Sequence, residues 1–167
     1  MKKFLYLALM IPTLALAQDK DLETQSFFKY GVGVFNSAEN SSVEVKTLSF
    51  GRQQPLGSIF IWQYEGGFWS DARTDVGRSG SGFVNASAGL NVNFGYMYTQ
   101  SLWGVAYMTS PDSFLGSHEQ FNQDFSAGVK DGRGVSIGLN YKHMSSAGIF
   151  MPNQGRDFMS VRLGFPL

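Results

Sequence analysis

The sequence predicts an all-β protein, an eight-stranded antiparallel transmembrane β-barrel. Apolar and polar residues alternate with a period of two in many short segments, and helical periodicity is nearly absent. Clusters of Gly, Asn, Asp, Ser and Pro separate these segments. Only 16% of the 167 residues are charged, while 15% are aromatic. This composition argues against disorder and suits a surface that faces lipid.

Eight segments carry the alternation, although the first two carry it weakly. In the clearest one, Val135, Ile137 and Leu139 lie on one face, and Ser136 and Asn140 lie on the other. The predicted strands are Phe28–Asn36, Val43–Arg52, Leu56–Gly66, Gly82–Val92, Ser101–Thr109, Gln120–Lys130, Gly134–Ser145 and Arg156–Pro166.

Two folds produce strands with one apolar face. A soluble sandwich buries that face, whereas a membrane barrel turns it toward lipid and fills a narrow lumen with polar and small side chains. Eight spans of about ten residues, with about ten residues left for each connection, favour the barrel. In the barrel, Lys142 and Arg162 point into the lumen, where we expect them to pair with Asp124 or Glu44.

The first 17 residues have the features of a secretory signal peptide. Lys2 and Lys3 precede a mostly apolar stretch that contains Pro12 and ends in Ala15-Leu16-Ala17, a small-residue cleavage site. The stretch is short for a membrane-spanning helix. We therefore predict a signal peptide at 1–17, a barrel domain at 18–167, and a location in the outer membrane of a Gram-negative bacterium.

Composition excludes several classes of function. The chain has no cysteine, so it has no disulfides, thiolate metal sites or cysteine nucleophiles. Its two histidines are too few for a multi-histidine metal site, and we predict no metal or cofactor. The 13 basic and 13 acidic residues balance, which argues against nucleic-acid binding.

The seventh predicted strand ends in residues that can do chemistry. His143 and Ser145 continue its apolar stripe, so they lie on one face as neighbours. A histidine beside a serine can activate it as a nucleophile. Asp157 begins the corresponding stripe of the eighth strand. A carboxylate beside the imidazole would complete a Ser-His-Asp triad. The other histidine, His118, follows a Gly-Ser turn and is predicted to be a solvated loop residue.

The same segment resembles the C-terminal signature of the PagL family, the lipid A 3-O-deacylases. The signature has the form H-x-S-N-A-G, then P-N-x-G, then an acid twelve positions after the serine. This chain has His143-Met-Ser145, Ala147-Gly148, Pro152-Asn153-Gln-Gly155 and Asp157. It departs from the pattern twice: the acid is Asp rather than Glu, and Ser146 replaces the usual Asn.

The resemblance implies an outer-membrane barrel that acts on lipid A of lipopolysaccharide. It implies that Ser145 is the nucleophile, His143 the general base and Asp157 the orienting acid. The oxyanion hole would comprise Asn153 and backbone amides near Ser146 and Gly148. Because the Asp157 side chain is one methylene shorter than that of Glu, its hydrogen bond to His143 requires the two backbones to lie close together.

Two alternatives remain at this point. A non-catalytic small outer-membrane barrel, a degenerate member of the same family, is favoured by the two departures. A soluble periplasmic β-sandwich that binds a ligand would bury the apolar stripe, including Val135, Ile137, Leu139 and Val161.

Overall fold

The chain forms a closed barrel of eight antiparallel strands in sequence order, and the last strand pairs with the first. The computed structural model describes residues 23–34, 45–71, 80–110, 115–150 and 155–167. Residues 1–17, Glu44 and Asn153 lie outside them. No helix in these segments is long and apolar enough to cross a membrane. The strands are β1 Gln25–Val34, β2 Val45–Pro55, β3 Phe60–Asp71, β4 Gly80–Phe94, β5 Met97–Met108, β6 Glu119–Lys130, β7 Ser136–Ser145 and β8 Arg156–Pro166.

The strand boundaries agree best with the sequence near the C-terminus. β8 has the predicted bounds, and β6 begins one residue early. The predicted start of the third strand at Leu56 is wrong, because the Leu56 amide donates to the Phe60 carbonyl (2.8 Å) across the turn before β3. β5 begins four residues before Ser101, because the turn needs only Gly95 and Tyr96; Gly95 has φ +64°, which a glycine adopts without strain.

The apolar stripe faces outward, which confirms the barrel and excludes the sandwich. Val135, Ile137, Leu139 and Val161 are each between 41% and 62% exposed. The polar residues that alternate with them, such as Asn140, are buried inside. An apolar outer wall around a polar lumen is the arrangement of a membrane barrel.

The lumen holds a network of four buried charges. The Lys29 ammonium lies 2.7 Å from Asp124 Oδ2 and 3.1 Å from Glu65 Oε2. The Lys142 ammonium lies 2.6 Å from Glu65 Oε2 and 3.6 Å from Asp124 Oδ2. Two cations and two anions, each almost fully buried, thus neutralise one another, and the predicted pairing of Lys142 with Asp124 is confirmed.

Arg162 is buried in the lumen, but it forms no ion pair with Asp124; Glu44, the other predicted partner, lies outside the described residues. Arg162 Nη2 donates to Gln53 Oε1 (2.6 Å), and its guanidinium lies 4.6 Å from the ring centroid of Phe27. An amide and an aromatic face therefore hold this cation.

One end of the lumen is closed by apolar side chains. Met144 and Phe158 point inward there, while the adjacent His143 and Asp157 face outward. At this end of β7 and β8, apolar side chains therefore face inward and polar side chains face outward, the reverse of the rest of the two strands. The residues of the cluster are Val45, Trp69, Phe83, Ala106, Met108, Leu115, Met144 and Phe158.

Candidate active site

His143 and Asp157 form a hydrogen-bonded pair on the outer wall of the barrel. They are directly opposite each other in the register of β7 and β8, a position that brings Cβ atoms to about 5 Å. His143 Nδ1 lies 2.6 Å from Asp157 Oδ1. The side chains are 30% and 14% exposed, respectively. The short acid thus reaches the imidazole because the register brings the two backbones together.

Ser145 lies two residues after His143 and ends β7. It faces outward like His143, since Met144 and Ser146 on either side of it are buried. The described residues form no hydrogen bond between the Ser145 hydroxyl and His143. In the tautomer whose Nδ1–H donates to Asp157, Nε2 on the other side of the ring carries the lone pair. Catalytic hydrogen bonds are often long before substrate binds, so this arrangement allows general-base chemistry.

A tight turn follows Ser145. The Ile149 amide donates to the Ser146 carbonyl (3.0 Å), and the two central residues have positive φ: 53° at Ala147 and 79° at Gly148. These angles are those of a type I′ turn. The buried Ser146 hydroxyl donates to the Phe150 carbonyl (2.8 Å). Ser146 and Gly148 therefore lie beside Ser145 on a constrained backbone, while Asn153 lies outside the described residues.

Gly155 packs against the imidazole just before β8. A Cβ at this position would lie 2.8 Å from His143 Cε1, and Gly155 has φ +73°. Both the contact and the backbone angle disfavour a side chain at this position. The backbone at Gly155 thus forms one wall of the space around His143.

An apolar groove runs along the outer wall from the same end of the barrel. Its volume is about 530 Å³. Phe121, which lines it, is the partner of Ser145 in the β6–β7 register. Val84, Ala86, Val105 and Tyr107 of β4 and β5 extend the groove, and the turn residues Ser146, Ile149 and Phe150 border it.

Two contacts near this site escaped the sequence prediction. The Tyr141 hydroxyl donates to Asp157 Oδ1 (2.7 Å). The sequence indicates this contact only through the position of Tyr141, two residues before His143 and therefore on the same face of the strand. His118 is exposed, as predicted, but it is not simply solvated. Its Nδ1 lies 2.7 Å from the Met108 carbonyl, and its ring stacks on Tyr107 at the edge of the groove.

The chain is similar to one family model and to solved structures. The model of the family "Lipid A 3-O-deacylase (PagL)" matches residues 40–166. The crystal structure of the outer membrane enzyme PagL is 19% identical, with a TM-score of 0.58 over 84% of this chain and 99% of that one. The Yersinia pestis outer membrane protein Ail is 10% identical, with a TM-score of 0.47 over 86% of this chain and 100% of that one. No curated protein matches the sequence.

Proposed function

The chain belongs to the PagL family of lipid A 3-O-deacylases, and from that premise we propose that it is a serine esterase with a Ser-His-Asp triad. Its family is one of outer-membrane enzymes that deacylate lipid A. The substrate is lipid A of lipopolysaccharide, and the bond cleaved is the ester at the 3-position of the glucosamine. The reaction releases a 3-hydroxy fatty acid.

The pairing of His143 with Asp157 supports this proposal most strongly. A hydrogen bond of 2.6 Å between an imidazole and a carboxylate on the outer wall of a membrane barrel has a cost, since polar groups are unfavourable on a lipid-facing surface. Such a pair beside an outward-facing serine is the arrangement of a hydrolase.

The proposed mechanism divides ester hydrolysis into two steps. The Ser145 hydroxyl attacks the ester carbonyl while His143 Nε2 takes its proton, and that proton then passes to the leaving sugar hydroxyl. Water, deprotonated by His143, next attacks the acyl–Ser145 ester and frees the fatty acid. Asp157 keeps Nδ1 protonated and stabilises the imidazolium.

The developing oxyanion requires donors next to Ser145. Backbone amides near Ser146 and Gly148 are suited to this role, because the positive φ angles of the turn hold them in fixed directions. Asn153 is the family's side-chain donor and is proposed to add to them. Each such donor is typically worth about 3 kcal/mol in the transition state.

The apolar groove suits the acyl chain of the substrate. It starts at Phe121 beside Ser145 and continues over Val105, Ala86 and Val84, all on the outer wall. An acyl chain in the membrane can enter such a groove sideways, without leaving the lipid phase. Ser145 then meets the ester while the chain lies along β5 and β4.

Topology would bring this site to the lipopolysaccharide leaflet. We propose that residues 1–17 are an export signal and that the barrel starts on the periplasmic side. The odd-numbered strands then end at the cell surface, and Ser145 is the last residue of β7. Lipid A lies in that outer leaflet.

Mass spectrometry of lipid A tests the proposal. The wild-type chain, expressed in a host of known lipid A acylation, is expected to remove one 3-O-linked hydroxyacyl chain. Ser145→Ala is expected to leave lipid A intact, because no nucleophile remains. Ser101→Ala, which changes another outward-facing serine on β5, is the control and is expected to act like the wild type.

Two outcomes would contradict the proposal. Deacylation by Ser145→Ala at the wild-type level would exclude Ser145 as the nucleophile. Unchanged lipid A in the presence of folded wild-type protein would favour the non-catalytic barrel.

A further inference from the structure

Tyr141 lies on the same outward stripe of β7 as His143. In the strand register it faces Met159, so Asp157 is its diagonal neighbour on β8. A diagonal distance of about 7 Å is within reach of an aromatic side chain. The Tyr141 hydroxyl spans it and donates to Asp157 Oδ1 at 2.7 Å.

Asp157 Oδ1 therefore accepts two hydrogen bonds, one from Tyr141 and one from His143 Nδ1 at 2.6 Å. Two donors on one oxygen fix the rotation of the carboxylate more firmly than either donor alone. A charged carboxylate that is only 14% exposed also needs such donors. Without the tyrosine, Asp157 keeps a single partner and is freer to turn.

The ring of Tyr141 is itself held in place. It stacks on Phe125 of the neighbouring strand, with the ring centroids 6.4 Å apart and an interplanar angle of 30°. The hydroxyl is thus presented from a fixed platform. Tyr30, another outward-facing tyrosine, makes no side-chain hydrogen bond to any described residue, so the contact of Tyr141 is not a general property of this wall.

We propose that Tyr141 is a positioning residue that holds Asp157 in line with His143. This inference rests on the proposed Ser-His-Asp mechanism. The strand register brings Asp157 next to His143. The Tyr141 hydroxyl then holds Asp157 Oδ1, the oxygen that also bonds to His143, in that position. Tyr141 does not touch the substrate in this role, so it affects turnover rather than binding.

Steady-state kinetics on purified lipid A in detergent tests the inference. Tyr141→Phe keeps the ring and its stacking but removes the hydroxyl. We expect kcat to fall about tenfold, because small misplacements of a catalytic group are costly, with KM changed less than about twofold. Tyr30→Phe is the matched control, and its kcat is expected to equal that of the wild type.

A double-mutant cycle with Asp157→Asn separates this role from a structural one. If Tyr141 acts through Asp157, adding Tyr141→Phe to Asp157→Asn lowers kcat further by less than about twofold. An equal tenfold loss in both backgrounds would overturn the inference, as would wild-type kcat in Tyr141→Phe alone. In either case a strong loss in Asp157→Asn and Ser145→Ala would leave the proposed function standing. Full activity in Ser145→Ala would overturn both.

Discussion

Gly155 determines how much room the imidazole of His143 has. The backbone at Gly155 lies so near the ring that a Cβ would meet Cε1 at 2.8 Å. At φ +73° a residue with a side chain also pays about 1–2 kcal/mol in backbone strain. The sequence signature contains this glycine, and its contact with His143 gives a physical reason for it.

Replacing Gly155 by alanine is therefore expected to impair turnover. The added methyl group overlaps the His143 ring at Cε1, so the ring must shift, and a shift of about 1 Å in a catalytic group can cost up to about 100-fold in rate. The measurement is kcat on purified lipid A, with gel mobility before and after heating to confirm a folded barrel.

The control for Gly155→Ala is Gly95→Ala. Gly95 has a similar φ of +64°, but no atom lies within 4 Å of the added Cβ. It introduces comparable backbone strain in the turn between β4 and β5 without touching His143. Equal activity of the two variants would show that the contact with the ring is unimportant.

For single residues, the sequence predicts which side chains share a face, because side chains alternate between the two faces of a strand. That is how His143, Ser145 and Asp157 were grouped. Tyr141 has the same period and lies on the same stripe, but the period does not predict a contact with Asp157. Its hydrogen bond depends on the exact offset between β7 and β8, and that offset is not visible in one strand alone.

β7 and β8 combine two functions along their length. Away from the candidate site, both strands follow the barrel pattern, with apolar residues outward and polar residues inward. At the end that carries the candidate site the pattern is reversed, because Met144 and Phe158 join the inner apolar cluster while His143 and Asp157 face outward. Packing of the inward residues anchors the strands just where the outward residues need fixed positions.

Strand positions were predicted well where alternation is regular and less well at the turns. β8 was predicted to the residue, but the starts of β3 and β5 were each four residues off. The period of a pattern identifies a strand, whereas its end depends on local hydrogen bonds such as that between Leu56 and Phe60. Apolar residues in a turn, such as Leu56, add to the error.

The whole barrel is organised around its lumen. The network of Lys29, Lys142, Glu65 and Asp124 joins strands β1, β3, β6 and β7 across the interior. Such contacts link residues up to 95 positions apart. The sequence predicted that Lys142 points inward, but not that it pairs with Glu65, because a partner across the lumen leaves no local pattern.

Breaking this network is expected to destabilise the barrel. Glu65→Gln leaves two buried ammonium groups with one carboxylate, Asp124, to share. Removing one partner from a buried ion pair typically lowers the free energy of unfolding by about 3–5 kcal/mol. Urea unfolding in detergent micelles, followed by tryptophan fluorescence, measures the change.

The matched control is Glu119→Gln, which alters an exposed carboxylate at the start of β6. Its unfolding midpoint in urea is expected to stay close to that of the wild type, because solvent screens the charge of an exposed carboxylate. If the two variants unfold at the same urea concentration, the luminal charges do not hold the strands together.

Covalent labelling of the nucleophile tests the proposed mechanism most directly. The folded wild-type protein is treated with a long-chain alkyl fluorophosphonate, and the adduct is located by peptide mass spectrometry. We predict a single adduct on Ser145 that forms as deacylase activity is lost, and that forms far more slowly in His143→Ala. Loss of activity with Ser145 unmodified, or with the adduct on another serine, would contradict the mechanism.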